Sequence, residues 1–154
     1  MFSVALLGLS NGLGRVLSSL VSYYPQSHLI VQAAVCIAAG ISTMLFPHCP
    51  NGEVLYLLTF VFGLVTGPVM ALETVSCAAC VGEDHVGTAL GWVDFSFGFF
   101  SLMGPIVVGH LIDVYKEMSL PLYIVGGCHF CAAVIFLGTH IYLKKNDEKK
   151  YQKF

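Results

Sequence analysis

Asn11 and Arg15 stand four positions apart in an apolar run from Met1 to Tyr23, a spacing that puts both on one face of a helix. Arg15 is the only arginine in the chain. A guanidinium keeps its proton at any accessible pH. At a membrane helix centre its charge costs roughly 2.5–3.5 kcal/mol on insertion scales. An arginine kept at that cost faces a partner, a wet cavity or an anion. Its planar fork matches a carboxylate bidentately, and a dry site strengthens the pair. Two chemistries follow: a structural ion pair with an intramembrane acid, or capture of an anionic substrate.

Glu73 and Asp94 are the acids inside later apolar runs. A carboxyl group taken out of water favours its neutral form, the property a proton carrier needs. Either could neutralise Arg15 or hold a coupling proton, and Glu73, well within its run, is the stronger candidate. Structural pairing is the alternative for both. His129 in the last run reads as a hydrogen-bonded packing residue, and His140 and Lys144 as snorkelling to an interface. Asp113, beside Lys116 and Glu117 at a helix end, reads as a capping or gating position. Cys77 and Cys80, and Cys128 and Cys131, are CxxC pairs. Thiolate metal sites usually need four ligands, so apolar packing is the reading for these cysteines. Cys49 lies in a loop. No HExxH, GxSxG or P-loop occurs, so neither an enzyme nor a cofactor is expected.

The elements that must position these residues are membrane spans. Fifty-six per cent of the residues are hydrophobic and 10% are charged, and the mean hydropathy is +0.81. A soluble domain of 154 residues carries more charge on its surface. Five apolar segments, about 1–23, 29–46, 54–80, 87–112 and 119–143, each approach or exceed the roughly 20 residues that cross a bilayer. The spacing predicts an all-α, polytopic bundle of five transmembrane helices without an internal domain boundary. The breaks carry turn residues: Pro25-Gln26-Ser27-His28, Pro47 to Gly52, Gly82 to His85, and Asp113 to Glu117. Gly63, Gly67 and Pro68 interrupt the third segment and Gly104-Pro105 the fourth, so both should kink. Close helix packing through small residues and broken helices at a binding site are the two readings. Phe60, Phe62, Phe95, Phe97, Phe99 and Phe100 read as core or lipid-facing packing, and Tyr23, Tyr24, Tyr142 and Tyr151 as interfacial belts. The first segment lacks a basic n-region and runs too long for a cleavable signal peptide.

Five of the seven basic residues lie in the last eleven positions. Residues 144–154 therefore read as a cytoplasmic lysine-rich tail, and an odd number of spans puts Met1 outside. Nucleic acid is not an expected partner; the lipid bilayer is.

The ordered set Asn11-Gly12-Leu13-Gly14-Arg15, Val81-Gly82, Gly87-Thr88-Ala89-Leu90-Gly91 and Gly104-Pro105-x-x-x-Gly109-x-Leu111-x-Asp113 resembles the C-terminal half of the monocarboxylate transporter family, within the major facilitator superfamily. The likeness runs over nearly the whole chain, as family helices eight to twelve. It implies a partial C-terminal lobe over residues 1–143, belonging to a twelve-helix, plasma-membrane carrier of small organic anions. The family's N-terminal lobe and the first helix of its second lobe have no counterpart here. Arg15 stands where the family's arginine binds the substrate carboxylate, with Asn11 orienting it. Proton-coupled members carry an aspartate at the position of Asn11, and others at the position of Ala79; an amide takes up no proton. Some members also work with an accessory single-span glycoprotein. A truncated, non-transporting membrane protein with a binding or regulatory role is the alternative.

Overall fold

The computed structural model describes residues 2–21 and 28–151. It contains five long helices: α1 (Phe2–Val21), α2 (His28–Leu45), α3 (Gly52–Val81), α4 (Val86–Tyr115) and α5 (Ser119–Tyr151). Single 3₁₀ turns at Phe46–His48 and Glu83–His85 follow α2 and α3. No strand occurs among the described residues, and the fold is an all-α membrane helix bundle. Four stretches, His28–His48, Gly52–Val81, Val86–Tyr115 and Ser119–Lys145, are long and apolar enough to cross a membrane. α1 adds a fifth apolar helix, of 20 residues. The turn expected at 25–28 and the belt residues Tyr23 and Tyr24 lie outside the described residues, save for His28, which opens α2.

Glycine decides how the helices meet. A methyl group added at Gly67 would lie 2.9 Å from the Arg15 backbone nitrogen and 3.0 Å from the Gly14 carbonyl carbon. One at Gly63 would strike Ser10 Oγ and come within 2.8 Å of the Leu7 carbonyl oxygen. Gly14 in turn faces Leu64 and Pro68. Contacts advance together along both helices, so α1 and α3 run parallel. With no hydrophobic drive between helices in lipid, such close backbone approach is a main source of association. The second seam joins α2 to α5. Gly40 meets Gly126, His129 and Phe130; Met44 meets Gly126; and Ala33, Cys36 and Ala133 form a buried cluster. Numbers fall on one helix as they rise on the other, so this pair is antiparallel. At its end, Tyr123 and His48 share a hydrogen bond of 2.8 Å.

Three expectations change here. Pro68 and Pro105 lie inside helices that continue past them, so neither segment is interrupted. Gly63 and Gly67 therefore serve close packing, while an added methyl at Gly104 would meet nothing within 4 Å. Second, α5 continues as helix to Tyr151 beyond its apolar stretch Ser119–Lys145, drawing the start of the lysine-rich tail into a helix. Third, the bundle is less even than five short-looped spans imply. α4 has no buried residue among those described. The packed unit is α1, α2, α3 and α5, with α4 held beside α3 by the short turn at 83–85. Its aromatics Trp92, Phe95, Phe97, Phe99 and Phe100 face outward. The cysteines also separate: Cys36 is buried, Cys49 and Cys77 are half-buried, and Cys80, Cys128 and Cys131 are exposed. Buried packing thus describes Cys36 and not both CxxC pairs.

Candidate functional site

The α1–α3 seam carries the polar centre of the molecule. Ser10, Gly14 and Ser18 form the buried edge of α1, and the hydroxyls of Ser10 and Ser18 donate to the carbonyls of Leu7 and Arg15 at 3.0 and 2.7 Å. One position around the helix, Asn11 is half-buried and Arg15 exposed. Arg15 Nε donates to Asn11 Oδ1 at 3.1 Å, the one-turn pairing that their spacing predicts. Asn11 Nδ2 then donates across the seam to Thr66 Oγ1 at 3.2 Å. Thr66 donates its own hydroxyl within α3, with the Phe62 carbonyl at 2.9 Å and that of Gly63 at 3.2 Å. A continuous relay therefore runs from the α3 backbone through Thr66 and Asn11 to the guanidinium.

Arg15 spends only Nε on this relay. Among the described residues no carboxylate oxygen lies within 4.0 Å of it, so the structural ion pair weighed from the sequence is not formed there. Its two terminal amino groups remain as a fork on an exposed helix face. That arrangement can take a carboxylate, phosphate or sulfonate oxygen pair from outside the packed helices.

Glu73 and Asp94 do not join the arginine. From the parallel register, Arg15 is level with Pro68, and Glu73 lies five positions further along α3, roughly 7.5 Å by helical rise. The Arg15 side chain also leans back toward Asn11, away from Glu73. Glu73 is half-buried and Asp94 exposed. Glu73 falls eight positions before Val81 and Asp94 eight positions after Val86, so the turn at 83–85 brings them to matched depth. These two acids stand on α3 and α4, separate from the arginine relay.

A second polar cluster, unforeseen from the sequence, lies between α2 and α3. Buried Ser76 donates to Gln32 Oε1 at 2.5 Å, and Gln32 Nε2 donates to the Val69 carbonyl at 3.3 Å. His28, one turn before Gln32, is also buried, and its Nδ1 has no partner among the described residues. His129 is half-buried and bonds to the Val125 carbonyl at 2.9 Å, in keeping with a hydrogen-bonded packing role. Thr66 was also missed. The signal that could have found it is position: it lies between Gly63 and Gly67, where the helices approach most closely, and a hydroxyl there must face the partner helix. No group of three or more metal-ligating side chains occurs among the described residues.

Comparison with known proteins gives the chain a relative but no family model and no solved structure: neither of the latter matches. Over 111 residues the sequence is 28% identical to monocarboxylate transporter 3 of Gallus gallus, a match covering 72% of this chain. The chain spans about one fifth of that transporter's length. With its apolar helices, this similarity marks the chain as a transporter-like membrane protein.

Proposed function

We propose that this chain forms part of a carrier for small monocarboxylates or related organic anions, with Arg15 holding the substrate carboxylate and Asn11 orienting it. One observation carries the reading. A permanently charged guanidinium stands on an apolar helix, tethered through Nε alone, with its terminal fork directed to no acid among the described residues. The similarity to a monocarboxylate transporter supports the substrate class. The carrier acts at the plasma membrane with the lysine-rich end in the cytoplasm, and its remaining helices close the far wall of the anion site. An accessory single-span glycoprotein is a further partner of such a carrier. The chain works as a carrier and not as an enzyme. Glu73 and Asp94, paired at one depth and away from the arginine, are the groups to hold a coupling proton, since Asn11 has none to give.

The test is Arg15→Ala in the assembled carrier. Losing two charge-assisted hydrogen bonds of about 1.5 kcal/mol each lowers L-lactate uptake by about a hundredfold, with surface expression unchanged. Undiminished uptake would remove Arg15 from the site. Uptake with and without an inward proton gradient, in the parent and in Glu73→Gln, tests the acid pair: the gradient should stimulate the parent only.

A further inference from the structure

We infer that Thr66 is a positioning residue for Arg15, acting through Asn11; its consequence for substrate rests on the carboxylate-site reading above. The argument is one of hydrogen-bond capacity. A threonine hydroxyl has one proton to donate, and Thr66 gives it to the α3 backbone, with the Phe62 carbonyl at 2.9 Å and that of Gly63 at 3.2 Å. Toward α1 it can therefore only accept. The Asn11 atom facing it must be the amino group, Nδ2, at 3.2 Å. At the other end Arg15 Nε–H can only donate, so the Asn11 atom facing it must be the carbonyl oxygen, Oδ1, at 3.1 Å. Both ends demand the same orientation of one amide. Thr66 holds that amide from a different helix, 55 positions away in sequence. Gly63 and Gly67 let the backbones come close enough for it to reach.

The consequence is directional. With Nε held, the guanidinium plane is set and its two amino groups point away from Asn11 as a fixed fork. An arginine side chain otherwise loses considerable rotamer freedom when it binds. Thr66 lowers that loss in advance without touching the substrate.

Arg15 is the sole arginine, so the ¹⁵N-labelled full chain in lipid nanodiscs gives a single arginine Nε–Hε resonance. Thr66→Val keeps the shape and removes the acceptor. It should shift that resonance and speed its solvent exchange about fivefold, and in the assembled carrier weaken L-lactate binding about fivefold, the change expected for one ordinary hydrogen bond. Thr66→Ser should restore all three. Asn11→Leu cuts the relay from the α1 side and should reproduce the faster exchange, which covers the case in which Thr66→Val does not fold. An Arg15 resonance unchanged in folded Thr66→Val, or in Asn11→Leu, overturns the inference. If Thr66→Val shifts the resonance while Arg15→Ala leaves L-lactate uptake by the assembled carrier undiminished, the positioning stands and the carboxylate reading falls.

Discussion

At residue scale the informative comparison is between the atoms Arg15 uses and those it keeps. Nε is committed to Asn11, so whatever Arg15 does for function it does with its terminal amino groups. A lysine offers one point charge in place of that fork and has no counterpart of Nε to bond Asn11. Arg15→Lys should thus behave as a loss and not a conservative change, with L-lactate affinity at least about tenfold weaker by titration of the assembled carrier. Affinity equal to wild type would mean that charge alone matters and the fork does not. Asn11 and Arg15 were legible in the sequence because their spacing is a property of a single helix. Thr66 was not, because its role depends on which helix α1 packs against.

The helices themselves are ordered by where small residues lie. Gly63 and Gly67 touch α1, whereas an added methyl at Gly91, Gly98 or Gly109 of α4 would meet nothing within 4 Å. Glycine frequency alone does not separate these groups; the neighbour does. Gly67→Val pushes a branched side chain into the Asn11, Gly14 and Arg15 backbone, and overpacking of this kind costs about 1–3 kcal/mol. Gly98→Ala should stay within about 0.5 kcal/mol, as for surface changes away from packing contacts. Reversible unfolding by SDS titration in bicelles measures both, and equal effects would contradict the α1–α3 seam. Interhelical hydrogen bonds add modestly, averaging roughly 0.6 kcal/mol in membrane proteins, so Gln32–Ser76 supports the α2–α3 contact without dominating it. The prolines teach the same lesson: Pro68 reads as a breaker in sequence but sits in a continuous helix packed on Gly14.

For the molecule as a whole, alternating helix directions place the turn at 46–51 and the start of α5 at one end, with the turn at 83–85 and the lysine-rich end of α5 at the other. Cys49 is the one cysteine outside the five long helices, and it lies at the end opposite the lysine-rich end of α5. If the lysine-rich end is cytoplasmic, as the basic bias implies, a membrane-impermeant maleimide should label Cys49 in intact cells, while a C-terminal tag stays hidden until the membrane is permeabilised. Tag exposure without Cys49 labelling would invert the orientation. α4 departs from the rest, joined to the bundle mainly beside α3 and with its apolar surface open.

The sequence by itself determined that this is an all-α membrane protein, that its long helices are about where they stand, and that one arginine pairs with one asparagine on a single helical face. These follow from composition, segment length and the helical repeat, all local along the chain. Only the tertiary structure decided that Arg15 meets no acid among the described residues, that Asn11 bonds Thr66, and that α4 lies outside the packed unit. Those depend on which glycines touch, on parallel or antiparallel register and on the depth each side chain reaches. Such quantities belong to pairs of helices, and no single segment encodes them.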